Sequence, residues 1–545
     1  MRDFLAGQSW FDLSQYRLDP PHGVFMHWSR LVDLPLAGLI LAGKTLLPAA
    51  TAERVAMTVW PALLLFAFLA GTVQLARGLA GEVAARVAIL FAVLMAPALQ
   101  HFRLGAIHHH NVQLALLVWS LALFVRAPQR PREAAVAGLL GALSVGVGQE
   151  MVPAVGMLAA VAALRWVFDG ARFGRATLAY AAALAAGTIL LGIATIAPAD
   201  YFVVRCDSLS IAQVGALAIG GGGLAALTVM PWLTSPLRRL AGAAALAVAL
   251  AVYFKLGAAQ CLGDPYAQLD PRLTEVWLSS VSEARSLTSM ARDLPQQIPA
   301  YFGVPVAALA LGVVQAIRSG DDTRWNWCAA AAVQAALLVV AIWQVRGAAG
   351  ANAVAAAIFP AAVAQLLPAR QDARRFFGLG GAALIVVLLI NPAVLLALGS
   401  GIARAIGVSE PGFITSGDAG TCQKAADYAP FARLPRGRVL AFIDAGPFIL
   451  MQSGDAVYGA PYHRNQAGNL AALDMFMASP AEAARRMTAH GIDYIAFCPG
   501  SPERHHYARL APQGLAAALA KGEAPAFLER LPAAGTDLVV YRVRH

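Results

Sequence analysis

The stretch FRLGAIHHHNVQLALL, residues 102–117, decides how this chain is read. From Asn111 onward it is an apolar run of the kind that crosses a bilayer, and three consecutive imidazoles, His108, His109 and His110, stand at its mouth. An imidazole at a membrane edge is costly unless it is hydrated or used. The stretch therefore admits three readings: a metal site, interfacial caps at a helix start, or the remnant of an older acidic motif.

The same texture extends outward on both sides. The 545 residues are 59% hydrophobic and 13% charged, with a mean hydropathy of +0.61. That composition belongs to a polytopic membrane protein rather than a soluble domain. The net charge of +10, from 41 Lys+Arg against 31 Asp+Glu, falls largely in short loops between apolar runs, where it reports topology. No basic patch with interleaved aromatics is present, so nucleic acid is not an expected partner.

Apolar runs lie near 55–77, 84–100, 111–126, 134–149, 152–168, 176–197, 211–233, 239–257, 299–317, 326–345, 349–367 and 376–399. They make about twelve expected spans. Arginine-bearing loops recur on alternate connections, at 126–133, 169–175, 235–239, 318–324 and 368–375, and the positive-inside rule makes these cytoplasmic. The connections at 101–110, 148–151, 198–210, 258–298 and 346–348 then face outward, together with the tail from about residue 400. Residues 1–54 face outward too, with 34–48 lying along the interface. This arrangement calls for a helix ahead of Met1; the alternative is that 34–48 itself spans and another run does not. The expected domains are an outer segment 1–54 with interfacial helices, a membrane domain 55–400 and an outward α/β domain 401–545.

Cys206, Cys261, Cys422 and Cys498 fall in outward segments and only Cys328 lies within a span. In an oxidising compartment the four pair, with Cys206–Cys261 and Cys422–Cys498 as one arrangement, or remain free thiols. In the tail, 437–444, 455–460, 491–498 and 537–543 read as strands, with helices at 469–490 and 512–522. That alternation indicates a small α/β domain, and the absence of a glycine-rich phosphate loop leading into a helix argues against a nucleotide fold. The run Gly220–Gly223 sits inside a span and reads as a packing feature.

Three outward clusters can carry chemistry: residues 10–33 with Asp12, Asp19 and Asp33; His101, Arg103 and His108–His110 with Glu150 on the neighbouring turn; and SSVSEARS at 279–286. The tetrapeptide Ser280-Val281-Ser282-Glu283 resembles the motif in the fifth outer loop of oligosaccharyltransferase catalytic subunits, where the glutamate lies by the divalent metal and helps bind the acceptor. AIHHHNVQ is similar to the second outer loop of the same superfamily, with His108 where that family has an aspartate. FIDAGPFI, residues 442–449, resembles the segment that reads the glycosylation sequon, at Asp444 and Gly446, but without its two tryptophans and tyrosine.

The resemblance implies a mostly α, GT-C type membrane fold followed by the small α/β domain. It implies transfer from a polyprenyl phosphate or pyrophosphate donor on the outer face of a bacterial inner membrane, to an acceptor other than an ordinary sequon. Its metal ligands would be His108, His109, His110, Glu150 and Glu283; Glu283, Asp12 and Asp19 are the catalytic candidates, and Ser282 and Asp444 would meet the acceptor. The bland readings are interfacial caps for the histidines and a strand-end turn for Asp444.

The chemistry of such a reaction is consistent with these residues. A leaving phosphate needs its charge neutralised, and an acceptor hydroxyl needs a base. Carboxylates suit Mg²⁺ or Mn²⁺, and imidazoles shift the preference toward Mn²⁺ or Zn²⁺. Arg346 and Arg103, at outer span ends, can pair with a lipid phosphate or snorkel to headgroups. Two rivals stand beside this reading. One is a catalytically degenerate relative acting as a binding or scaffold protein; the other, disfavoured by the lack of an internal repeat, is a transporter.

Overall fold

The computed structural model describes residues 1–264, 266–366, 390–405, 407, 422–533 and 535–545. The expected loop at 368–375 and most of the expected span 376–399 lie outside the described residues. The chain divides into two compact units. One comprises Met1–Phe11, Trp28–Pro265 and Glu283–Pro411; the other comprises Asp12–His27, Tyr266–Ser282 and Gly412–His545.

The first unit is helical. It contains α1 (Arg30–Lys44), α2 (Ala49–Ala92), α3 (His110–Arg126), α4 (Pro131–Val147), α5 (Val152–Asp169), α6 (Ala171–Thr195), α7 (Ile211–Val229), α8 (Pro236–Gly257), α9 (Val304–Arg318), α10 (Asp321–Trp343), α11 (Gly347–Leu366) and α12 (Pro392–Ala405). Among the described residues, eight helices are long and apolar enough to cross a membrane, as befits a multi-pass membrane protein. The count falls short of about twelve for definite reasons. The runs 55–77 and 84–100 lie on either side of a break at Ala80–Gly81 and are counted together in α2, which ends at Ala92; Gly81 takes a φ of 78° that a side chain would resist. Helices α3 and α4, with 17 residues each, reach only about 25 Å. Of the last expected span only the end, in α12, is described.

Helix α1 covers most of the apolar 34–48 stretch. Ser29 caps its first turn through Leu31 N, and Val32, Leu36, Ala37 and Ile40 form its buried stripe. The Arg30 guanidinium is buried there, held by Asp33 at 2.8 Å and by Gln8 at 3.1 Å. At 15 residues the helix is shorter than a bilayer core requires.

Sequence decides which spans are central. The window of α11 is 83% buried, and its alanines and glycines let neighbouring backbones approach closely; that of α8 is 0% buried and presents Leu237, Val248, Val252 and Leu256 outward. The Gly220–Gly223 run acts in packing as expected: a Cβ on Gly221 would stand 2.8 Å from the Ala181 carbonyl oxygen. The disulfide Cys206–Cys261 closes the connection around α7 and α8.

The second unit is built on a five-stranded sheet. Its strands are β1 (Arg438–Ala441), β2 (Ala456–Val457), β3 (Tyr494–Phe497), β4 (Leu528–Leu531) and β5 (Val539–Val543), in the order β2-β1-β3-β5-β4. β1 pairs parallel with β2 and β3, while β5 runs antiparallel to both β3 and β4. All four strands expected in the tail form. The expected helix 469–490 is two helices, Gln466–Met477 and Pro480–His490, because Pro480 cannot continue the first. Leu515–Ala520 realises the expected helix at 512–522. Strand β4 and the helices Gly446–Gln452 and Pro502–Leu510 were not anticipated. Cys422–Cys498 is a disulfide.

This body is not made from the tail alone. Residues 12–27 join it through the bridge Leu18–Val457. The Arg17 guanidinium donates to the carbonyls of Leu450, Ser453 and Asp455, capping the end of Gly446–Gln452. Residues 266–282 contribute Leu273, Val276 and Trp277 to its core, and Arg272 pairs with Asp474 at 2.8 Å.

Candidate functional site

The triple histidine marks the start of α3. His109 is the residue before the helix and His110 its first residue, so Gln113, one turn on, shares a face with His109. Glu150 comes from the turn between α4 and α5. Its Oε1 lies 2.9 Å from His109 Nε2 and 4.0 Å from His110 Nδ1. One ligand atom from each of His109, His110 and Glu150 falls within 4.8 Å of the others. Gly148 makes this closeness possible: a Cβ there would stand 2.8 Å from Glu150 Oε2, 2.9 Å from His109 Cδ2 and 3.0 Å from Gln113 Nε2.

The electrostatics follow from that packing. Burial disfavours the charged form of His109, but the Glu150 carboxylate, by charge and by hydrogen bond, and Glu283 outweigh it and raise its pKa. For Glu150, burial works toward the neutral acid, and His109 with His110 reverses it, holding the carboxyl well below its ordinary range. His101 and His108 are shifted down, first by loss of solvation and then by positive neighbours, so both are neutral imidazoles near pH 7.

The site keeps unused polar capacity. Glu150 Oε2 and both polar atoms of Gln113 are buried without a protein partner, and Gln113 is 0% exposed. Leaving such atoms unmet costs about 1–3 kcal/mol each, so they are where an ion, water or ligand belongs. The donor set of two imidazoles and a carboxylate fits a divalent cation of the Mn²⁺ or Zn²⁺ kind.

Glu283 and Arg346 belong to the same unit. Arg346 N donates to the Glu283 carbonyl at 2.9 Å, and Val345 N to that of Arg285 at 2.8 Å; this pairing fixes the loop against the start of α11. An Nη2 of Arg346 lies 3.6 Å from Glu283 Oε1, and the charges of both residues are felt at the His109 ring. Arg103 is exposed and its charge is felt at His101. The first unit thus gathers His108–His110, Glu150, Glu283, Arg346 and Arg103.

Asp12, Asp19, Ser282 and Asp444 fold with the second unit. The Asp12 carboxylate accepts from Ser14 N at 2.9 Å and Tyr16 OH at 3.0 Å, which holds a turn. Asp19 has a φ of 50° and its carbonyl accepts from the amides of His22 and Gly23. Ser282 is exposed in the turn Ser282–Ala284. Asp444 is exposed in the turn Ile443–Ala445, directly after β1. Sequence reasoning passed over Gln113 altogether; its signal was the i, i+4 spacing from His109. It also left His101 out of the ligand set, although three imidazoles downstream of a fourth were visible.

No protein-family model and no curated protein matches the chain. Solved structures do. The archaeal oligosaccharyltransferase AglB from Archaeoglobus fulgidus, in complex with an inhibitory peptide and a dolichol-phosphate, superposes with a TM-score of 0.67 at 16% identity, over 95% of this chain and 66% of that one. The Archaeoglobus fulgidus oligosaccharyltransferase tethered to an acceptor peptide containing the NVT sequon gives 0.65 at 15%, over 98% and 68%. A third structure, the same organism's enzyme in complex with Zn and sulfate, gives 0.63 at 16%, over 98% and 66%. The chain spans about two thirds of the length of these structures. At such identities the likeness is one of fold, and it is the GT-C type oligosaccharyltransferase fold that the short motifs implied.

Proposed function

We propose that the chain is an integral-membrane glycosyltransferase. It moves a sugar or oligosaccharide from a polyprenyl phosphate or pyrophosphate to an acceptor on the outer face of a bacterial inner membrane, with the help of a divalent cation. The observation that carries this reading is the convergence of His109, His110 and Glu150, with unmet polar atoms, in a fold whose solved counterparts are oligosaccharyltransferases. Those counterparts were captured with a dolichol-phosphate, an acceptor peptide and Zn, which supports a lipid-linked donor, a separate acceptor and a metal.

In this reading His109, His110 and Glu150 hold the cation, with His108 and Glu283 at the rim. Bound there, a divalent cation would supply the charge that neutralises the leaving phosphate. His109 and Glu150 would have to release the proton between them to hold it, so its binding would weaken as pH falls. Arg346 offers a planar fork to phosphate oxygens, and Arg103 a second positive charge. Glu283, half exposed and loosely paired with Arg346, accepts the hydrogen bond of the incoming acceptor. Asp12 and Asp19 remain alternative bases, Ser282 and Asp444 acceptor contacts. The missing aromatic residues around Asp444 favour an acceptor other than an ordinary sequon.

Purified protein in lipid, given a labelled polyprenyl-linked sugar and Mn²⁺, tests this. Wild type transfers label; Glu150→Ala and Glu283→Ala do not. One observation favours a second reading: His108 stands where the family resemblance expects an aspartate. If the wild type binds the lipid-linked sugar but never turns it over, the chain is a catalytically degenerate relative.

A further inference from the structure

We propose that the arginine-bearing end of the helical unit, where the turn between α5 and α6 meets the turn between α7 and α8, binds the phosphate head group of an anionic phospholipid. Arg175, Arg238 and Arg239 make the site. One apolar cluster brings them together: Trp166 and Val167 of α5 pack there with Leu178 and Ala181 of α6, Leu224 and Leu227 of α7, Leu233, and Ala243 and Leu246 of α8. Arg175 stands one turn before Leu178 on the same face of α6, and Arg239 one turn before Ala243 on the same face of α8. Both guanidinium groups therefore rise at the rim of one cluster, with the exposed Arg238 beside them.

Arg239 is buried and set in place. Its Nε donates to the Val167 carbonyl at 2.9 Å, at the end of α5. It packs over Gly170, which has a φ of 56° and where a Cβ would stand 2.8 Å from Arg239 Cζ. Arg238 donates to the Trp232 carbonyl at 3.3 Å. The nearby acids are spent on other arginines: Asp169 pairs with Arg165 at 3.2 Å, and Asp322 with Arg165 and, at 3.2 Å, with Arg172. Among the described residues Arg175, Arg238 and Arg239 have no acidic partner.

Helix stability does not account for these charges. The macrodipole favours acids at a helix start, and α4 and α10 comply with Glu133 and with Asp321 and Asp322. Helices α6 and α8 begin instead with Arg172 and with Arg238 and Arg239, and carry no acid in the first turn. An anion from outside the chain relieves that opposition. The flanks say which anion: Trp232, Leu237 and Leu240 are exposed beside the arginines, and the window of α8 that continues from them is unburied. A phospholipid lays its acyl chains along α8 while its phosphate meets the guanidinium forks. Free phosphate gains nothing from the apolar flank. This site does not depend on a transfer reaction.

The test titrates full-length protein in detergent with dioleoyl phosphatidylglycerol, with dioleoyl phosphatidylcholine and with inorganic phosphate. Bound lipid is counted by native mass spectrometry, and the melting point is followed in parallel. Wild type should retain phosphatidylglycerol and melt higher with it, while phosphatidylcholine and phosphate do neither. The double variant Arg175→Gln with Arg238→Gln should bind phosphatidylglycerol at least ~10-fold more weakly. A charge-matched pair in the α/β unit, Arg485→Gln with Arg509→Gln, should bind it as wild type does. Equal retention of the two lipids, a melting shift from phosphate alone, or wild-type affinity in the Arg175/Arg238 variant overturns the proposal. Both substituted arginines are exposed, and a melting curve without lipid shows whether the variant has folded. The comparison of the two lipids on the wild type decides the question without any variant.

Discussion

Two glutamates with buried carboxyl oxygens, one in each unit, are treated in opposite ways. Glu503, 5% exposed in the α/β unit, spends its whole carboxyl on the fold: Oε2 accepts from Ile443 N and Tyr507 OH, each at 2.9 Å, and Oε1 from Asp444 N at 2.9 Å. Glu150 in the helical unit meets His109 with one oxygen and leaves the other buried and unmet. Their acidities diverge as well. Burial and the nearby Asp444 charge push Glu503 up to about 7 against its three hydrogen bonds, whereas the imidazoles hold Glu150 well down. A buried acid whose capacity is exhausted ties a turn to a helix. One that keeps capacity in reserve, beside an equally unmet carboxamide, is shaped for something the chain does not supply.

The contrast can be broken by experiment. Glu503→Ala should have the largest effect. It strands two backbone amides and a tyrosine hydroxyl, and should destabilise the α/β unit by about 3 kcal/mol or more, read by urea denaturation with a probe in that unit. Glu150→Ala should lower sugar transfer at least ~100-fold while leaving the urea midpoint of the α/β unit nearly unchanged. If the two variants exchange phenotypes, the contrast is wrong.

The pH response sharpens it further. A carboxyl whose folded pKa lies above its unfolded value favours the fold when protonated. The contribution of Glu503 is therefore fully present below the unfolded carboxylate pKa and is lost as pH rises toward about 7. The melting point of the α/β unit should fall over that window, and Glu503→Gln should flatten the profile. The smallest effects separate Tyr507→Phe from Gln113→Leu. The first removes a donor to Glu503 and should cost about 1 kcal/mol. The second removes only polar atoms that have no protein partner, and should leave stability unchanged or slightly raised.

Much of this was legible in the residues, for physical reasons. The strands around Val439, Ile495 and Val540 announced themselves as short apolar runs between turn residues, and the expectation that Cys206, Cys261, Cys422 and Cys498 face outward offered the two disulfides as one arrangement. The histidines stood out because imidazole is expensive at a membrane edge. Hydropathy could not show that α2 breaks at Gly81, since it counts apolar residues and not backbone angles. Nor could any local window show that Arg17 and Trp277 complete a sheet domain hundreds of residues away. Those are contacts of high sequence separation, and their chemistry, a guanidinium on helix-end carbonyls and an indole in a core, is unremarkable at either end alone.

The capping of Gly446–Gln452 by Arg17 also imposes a parity rule. Segments 12–27, 266–282 and 422–545 fold as one body, so a polypeptide threading the bilayer must return to its starting leaflet by residue 266. Between those segments the crossings must come in pairs, whichever helices make them, and the break of α2 at Ala80–Gly81 is one place where the chain can turn within that interval.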